Sequence, residues 1–253
     1  MNYFLATDFD DTLYFHDGRG LRTKDIEAIR RFQKSGSRFG LNTGRSVSMY
    51  KDMKKMIEGD VQFDFLIFAN GTYILNQKGE VVYQKFLPKE FLNYVMENVR
   101  DIPVTFHHET GLYSSLEPSQ PVPGMKVMNL DYSMLPDLDI NEISIDYALP
   151  GAEKVIADLK KQPGIVCAKN SKFCDFNPEG TSKGKGLDIA AGIYGFNHQQ
   201  TAAIGDSFND IPMIADAACG FTFAESAEEV REAADQIVDG VAGAIDFLMT
   251  EDH

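Results

Sequence analysis

The chain has 253 residues, 43% hydrophobic and 25% charged, with 24 basic against 38 acidic side chains and a net charge of −14. This is a globular composition with room for one large or two modest domains. The acidity argues against nonspecific binding to nucleic acid or an anionic membrane, because their phosphates are held by Lys and Arg.

No apolar run approaches the roughly 18 residues of a membrane span, and the start Met1-Asn2-Tyr3 has no signal-peptide pattern. Three cysteines fit free thiols in a reducing cytoplasm better than a disulfide framework. Tyr3-Phe4-Leu5-Ala6 reads as a buried strand that delivers Asp8-Phe9-Asp10-Asp11-Thr12 at its end. Two carboxylates two residues apart can face one small volume, which is costly without a cation or a shared proton. A hard divalent ion, Mg²⁺ first, answers that need. Taken alone, the stretch reads as readily as a polar turn.

Thr23 then reads as the N-cap of a helix that carries Ile26, Ala28, Ile29 and Phe32 and ends at Gly36. A strand over 38–41 leads into Asn42-Thr43-Gly44-Arg45, followed by a helix with Tyr50, Met53, Met56 and Ile57. A strand over 63–68 closes at Asn70-Gly71, and 73–75 with 81–83 form a hairpin.

From Gln84 the texture changes. Pro88 starts a helix, and strand-like pieces follow at 104–107, 112–116, 125–130 and 142–149, with a Pro-rich loop over 118–124. A helix over 152–161 and a hairpin over 165–176, turning near Asn170-Ser171, complete a small open α/β sheet. Asn177-Pro178-Glu179-Gly180 reads as an exit linker. The βα rhythm then returns: a helix from Ser182, a strand over 201–204, a helix from Asn209, a strand near 219–223, a helix over 227–234, a strand over 236–238 and a last helix to Met249. The expected architecture is α/β: a doubly wound, Rossmann-like parallel-sheet core from residues 1–83 and 178–253, with a smaller α/β cap domain inserted over 84–177. Sites in such sheets lie beyond the carboxyl ends of the strands.

Three polar clusters follow apolar runs at those ends: Asp8–Thr12, Thr43-Gly44-Arg45, and Gly205-Asp206-Ser207-Phe208-Asn209-Asp210. A fourth, Ser182-Lys183-Gly184, opens a helix, whose N-terminus favours anions. Singly, each is a turn, a cap or a solvated charge. Together they supply a carboxylate pair, a hydroxyl, a fixed cation and a second acidic cluster, a set suited to phosphoryl transfer.

On these motifs the chain resembles haloacid dehalogenase superfamily phosphatases, specifically the Cof-type subclass IIB. The likeness covers residues 3–82 and 180–248, with the insertion between the second and third motifs, and Asn70-Gly71 where that subclass has this pair. The resemblance implies Asp8 as the nucleophile of an aspartyl-phosphate and Asp10 as general acid/base. It implies metal binding by Asp8, the Asp10 main-chain carbonyl, Asp206 and, at one remove, Asp210, with Mg²⁺ as cofactor. Thr43, Gly44, Lys183 and Asn209 would hold the phosphoryl oxygens. Two positions depart from the pattern: Asp11 stands where glycine is commonest and Glu225 where asparagine is frequent.

The implied activity is hydrolysis of small phosphorylated metabolites, sugar phosphates first, by a cytoplasmic monomer or weak homo-oligomer. A phosphomutase or phosphotransferase would share every core residue, and a phospho-aspartate signalling module is the rival from another class. Phe106-His107-His108-Glu109 would put His107 and Glu109 on one strand face, for a metal or the leaving group. Cys167 and Cys174 face each other across the predicted hairpin, as thiols in a reducing compartment. Arg19 and Arg22, in the loop after the first motif, read as solvated, with contact to the substrate as the alternative.

Overall fold

The computed structural model describes residues 1–57, 60–116, 127–170 and 172–250. The Pro-rich loop at 118–124, the start of the strand expected at 125–130 and Ser171 of the hairpin turn lie outside the described residues.

In chain order the first part gives β1 (Phe4–Thr7), β2 (Tyr14–Phe15), β3 (Gly20–Leu21), α1 (Thr23–Lys34), β4 (Arg38–Asn42), α2 (Tyr50–Met56), β5 (Phe65–Phe68), β6 (Tyr73–Asn76) and β7 (Val81–Gln84). The middle gives α3 (Lys89–Asn98), β8 (Thr105–His108), β9 (Gly111–Ser114), β10 (Val127–Asn129), β11 (Glu142–Asp146), α4 (Ala152–Leu159), β12 (Ile165–Lys169) and β13 (Phe173–Pro178). The last part gives α5 (Lys183–Ile193), β14 (Thr201–Ile204), α6 (Ile211–Asp216), β15 (Cys219–Thr222), α7 (Glu228–Glu232), β16 (Gln236–Ile237) and α8 (Val241–Thr250).

One eight-stranded sheet runs β16-β15-β14-β1-β4-β5-β6-β7. It is parallel from β16 to β5 and antiparallel through the β6–β7 hairpin. Helices cover both faces, which is why its strands read as unbroken apolar runs. Leu5 of β1 packs into one core with α1 and α8, while Phe4 and Ala6 point the other way, to α5 and α6. After β1 the chain winds to β4 and β5 on one side, and later to β14, β15 and β16 on the other. The strand order therefore reverses at β1, and the crevice beyond β1, β4 and β14 is the place for a site.

The second sheet, β10-β9-β8-β11-β13-β12, comes from the inserted section and is antiparallel except for the β9–β10 pair. Its strands alternate. Phe106, Ile143, Ile145, Cys174 and Phe176 pack with α3 and α4. His107, Glu142, Ser144, Asp175 and Asn177 occupy the opposite face and are nevertheless buried.

Two local expectations need correction. Thr23 is the first helical residue, not the cap; Arg22 holds the cap position without a side-chain cap bond. Asp25, in the first turn of α1, is turned to other partners: it takes Arg22 Nε at 2.6 Å and, at the start of α8, the main-chain N–H of Ala242 at 2.7 Å. Asn177 and Pro178 are not linker either. They extend β13, with Pro178 opposite Ile165 and no N–H to carry the ladder further.

Candidate active site

Each polar cluster singled out in the sequence lands on the crevice. Asp8 and Asp10 follow β1, Thr43, Gly44 and Arg45 follow β4, and Asp206, Asn209 and Asp210 follow β14. Lys183 opens α5, where Ser182 caps the helix by accepting from the Lys185 N–H. Lys183 is fully buried, and its Nζ lies 2.6 Å from Asp8 Oδ1 and 2.5 Å from Asp210 Oδ1. Burial alone would lower the ammonium's pKa, but Asp210 and Asp8 outweigh it and raise it. Burial pushes the Asp8 carboxyl well above its usual range; Lys183 pulls it back, while Asp210, Asp206 and Asp10 push it up. Asp206 rises to about 6 through burial and Asp210, although Thr12 Oγ1 donates to it at 2.5 Å.

One ligand oxygen from each of Asp8, Asp206 and Asp210 falls within 4.8 Å of the others, the one such group among the described residues. All three donors are hard oxygens, and their mutual repulsion is what a small divalent cation relieves. The set fits Mg²⁺. Asp210 is the most constrained member: its Oδ2 takes the N–H groups of Asp206 and Ser207, and its Oδ1 takes Lys183. Gly205 makes room for it, since a Cβ there would lie 2.4 Å from Asp210 Cγ.

The Asp10 side chain does not join the cluster. Arg45 grips it through Nε at 2.7 Å and an amino group at 2.5 Å, and His16 Nε2 lies 2.6 Å away. Burial works to raise this carboxyl, but Arg45 and then His16 outweigh it and hold it below its ordinary value. Asp11 adopts a left-handed backbone (φ 58°), which explains the preference for glycine there and the tolerance for a short polar side chain.

Over the crevice sits the polar face of the second sheet, enclosing a cavity of about 460 Å³. Glu142, Ser144, Asp175, His107 and Phe173 line it from above; Asp8, Thr43, Gly44, Arg45 and Asn209 line it from below. Ser144 Oγ bridges His107 Nε2 at 2.9 Å and Asp175 Oδ1 at 2.6 Å. Burial lowers His107 to about 4, raises Asp175 to about 6 and drives Glu142 well above the carboxylate range, the last with help from Asp175.

His107 is therefore placed at the cavity, while Glu109 leaves its face and accepts from Tyr73 Oη. Cys167 and Cys174 are free. Arg19 pairs with Asp17 and stacks on Phe15, and Arg22 pairs with Asp25; both border a second cavity of about 500 Å³, beside Asp11 and Glu225. Sequence reasoning passed over His16, Glu142, Ser144, Asp175 and Asn177. The signal for the last four was polar residues at every second position of otherwise apolar strands, Glu-Ile-Ser-Ile-Asp and Cys-Asp-Phe-Asn.

The profile of the haloacid dehalogenase-like hydrolases matches residues 5–243. The chain belongs to that family. It is a hydrolase, and curated relatives carry phosphatase names. The 5-amino-6-(5-phospho-D-ribitylamino)uracil phosphatase YcsE of Bacillus subtilis is 27% identical over 249 residues, spanning 95% of this chain and 93% of the relative. Among solved structures, the family phosphatase BT1666 of Bacteroides thetaiotaomicron superposes with a TM-score of 0.83 at 24% identity, covering 99% of this chain and 95% of that one. The subclass IIB sugar phosphatase BT4131 follows at 0.79 and 20%, covering 98% and 99%. The expected resemblance and the expected fold both hold. Among the described residues, no helix of this hydrolase is long and apolar enough to cross a membrane.

Proposed function

We propose that this hydrolase is a Mg²⁺-dependent phosphatase of small phosphorylated metabolites, sugar phosphates first, working through an aspartyl-phosphate on Asp8. The observation that carries the reading is the buried Lys183 ammonium bridging Asp8 and Asp210 at the reversal of strand order, opposite a polar wall from the second sheet. The named substrates of YcsE and BT4131, a ribitylaminouracil phosphate and sugar phosphates, carry leaving groups rich in hydroxyls, and the wall offers carboxylates and a hydroxyl to bind them. In this reading residues 1–84 and 179–253 form the catalytic core and 85–178 form a cap that reads the leaving group, each junction one residue later than the sequence suggests because Gln84 ends β7 and Pro178 ends β13. The cytoplasm is the compartment that fits three cysteines held outside any disulfide.

In the first step a carboxylate oxygen of Asp8 attacks phosphorus, the bond to the leaving oxygen breaks, and Asp10 gives that oxygen a proton. In the second, water attacks the phosphorus of phospho-Asp8, Asp10 takes the water's proton, and the carboxylate of Asp8 is restored. The Arg45–His16 grip favours ionised Asp10, the form that the second step needs. Lys183, Thr43, the Gly44 main chain and Asn209 would hold the phosphoryl oxygens. Mg²⁺ on Asp8, Asp206, the Asp10 carbonyl and, at one remove, Asp210 would neutralise phosphoryl charge. The test is phosphate release from a panel of phosphorylated metabolites with Mg²⁺, together with trapping of phospho-Asp8. No release from any of them, with no phospho-enzyme, would refute the reading.

A further inference from the structure

Between β5 and β6 the backbone makes a turn with three consecutive left-handed residues: Ala69 (φ 47°), Asn70 (φ 52°) and Gly71 (φ 94°). Two of the three are not glycine, so the conformation costs on the order of 1–3 kcal/mol per strained residue. The surroundings fix it. The Ala69 N–H donates to the Arg45 carbonyl at 2.9 Å and the Asn70 N–H to the Thr43 carbonyl at 3.3 Å, so the turn rides on the loop after β4. Gly71 sits against the residue before α5; a Cβ there would come within 2.2 Å of the Ser182 carbonyl oxygen.

The Asn70 side chain is buried, and both ends of its amide are used. Its Nδ2 donates to Glu142 Oε2 at 2.9 Å, across to the second sheet, and its Oδ1 accepts from Asn209 Nδ2 at 3.2 Å. Asn177 donates to the same Glu142 oxygen at 2.8 Å and to the Ala69 carbonyl at 3.2 Å, so the acceptor is held from two sides. Oε2 accepts from Asn70 and Asn177 together, so a proton on the Glu142 carboxyl belongs on Oε1 and the NH₂ end of Asn70 faces Oε2. The carbonyl end of Asn70 must then face Asn209, which presents its own NH₂ to it. Backbone needs alone would be met by glycine at position 70. The buried amide does something more: it hands the polarity of Glu142 to Asn209, which borders the cavity beside Gly44.

We propose that Asn70 is a positioning residue joining the cap-side wall to the phosphoryl site, with Glu142 fixing the amide of Asn70 and Asn70 fixing the amide of Asn209. This rests on the reading of Asn209 as a phosphoryl-oxygen donor. A cap seated with Glu142 on Asn70 thus completes the phosphoryl site, and a cap without that contact leaves Asn209 unaligned.

The test is equilibrium binding of orthovanadate, a phosphoryl mimic, to the full chain with Mg²⁺. Asn70→Gly keeps the left-handed backbone and should weaken binding about tenfold, the worth of one well-placed hydrogen bond. Asn209→Ala should cost about the same, and adding Asn70→Gly to it should cost nothing further, because one chain of bonds is cut either way. Glu142→Ala should weaken binding, and Glu142→Gln should restore it by keeping an oxygen toward Asn70 and Asn177. If Asn70→Gly does not fold, the Glu142 pair decides alone. Wild-type affinity in Asn70→Gly and Glu142→Ala, whatever their melting temperatures, overturns the inference, as do losses from Asn70→Gly and Asn209→Ala that simply add. A wild-type chain that binds no orthovanadate overturns the phosphatase reading and this inference with it; unchanged variants beside a binding wild type overturn this inference alone.

Discussion

Asp8 and Asp10 are two residues apart and have opposite surroundings: one carboxyl is pushed up by burial, the other held down by Arg45 and His16. The two carboxyls thus meet different partners, Asp8 the Lys183 ammonium and Asp10 the Arg45–His16 pair, and kinetics should separate their duties. Asp8→Asn removes the attacking oxygen, so no phospho-enzyme should form from any substrate. Asp10→Asn keeps the nucleophile but loses acid and base help, typically worth about 10²–10⁴-fold. Phospho-enzyme formation from a sugar phosphate should slow by that order, whereas an aryl phosphate, whose phenol leaves unprotonated, should react in a burst and then stall. Equal losses on both substrates with no burst would remove Asp10 from the acid/base role. A second residue-scale test concerns Gly205. An added methyl would meet the Asp210 side chain, which three donors hold in place, so it has nowhere to go. Gly205→Ala should destabilise the fold by about 1–3 kcal/mol and shift Asp210 off Lys183. A variant with wild-type melting and turnover would show that the loop yields more easily than this packing implies.

The strands of the second sheet set up an opposed pair of titrations. His107 is held to about 4 against an ordinary 6.5, so its stabilising contribution is present above pH 6.5 and is lost as pH falls through 4. Asp175 is raised to about 6 from 3.8, so its contribution is present below pH 3.8 and is lost as pH rises through 6. Ser144 joins the two, and across pH 4–6 the slopes oppose each other. His107→Gln should unmask the Asp175 slope, giving a variant that loses stability as pH rises from about 4 to 6. Asp175→Asn should shift the profile the other way, and both variants are read as differences from the parent chain, in which the raised Asp8, Asp206 and Glu142 carboxyls cancel. Each span is worth on the order of 3 kcal/mol. Denaturant melts across that range check the signs, and parallel pH profiles for the two variants would refute the account. This sheet also marks where the sequence stopped being legible. The strands of the large sheet announced themselves because both faces are buried, and Asp8, Thr43 and Asp206 because they sit just past strand ends. Glu142 and Asp175 looked like the wet face of an open sheet; only its placement over the crevice turns that face inward. Thr23 and Pro178 were misplaced by local chemistry: a Thr before an apolar helix reads as a cap and an Asn-Pro pair as a turn, whereas Arg22 holds the cap position and the β12–β13 hairpin runs on to Pro178 opposite Ile165.

At the scale of the molecule, the inserted section carries its own core. Among the described residues, the apolar cluster under α3 and α4 shares no member with the two clusters that flank the large sheet. The two crossings between the sheets run side by side: Lys85 Nζ donates to the Glu179 carbonyl at 2.6 Å. A short linker can therefore join Gln84 to Glu179 in place of residues 85–178. The excised core should fold, because it loses no apolar partner from its own clusters. It would also keep the carboxylate group of Asp8, Asp206 and Asp210 with Lys183, and so should retain Mg²⁺-dependent phospho-enzyme formation from an aryl phosphate. It would lose the Glu142 and Asp175 wall, and with it the means to rank leaving groups. Water would also reach phospho-Asp8 freely, which weakens every electrostatic contact in the site. The expected result is a folded protein with low turnover that hydrolyses sugar phosphates of different stereochemistry at nearly equal rates. A core that ranks those substrates as the whole chain does would show that the second sheet does not read them. One that unfolds would show that the two clusters are less independent than their packing makes them look.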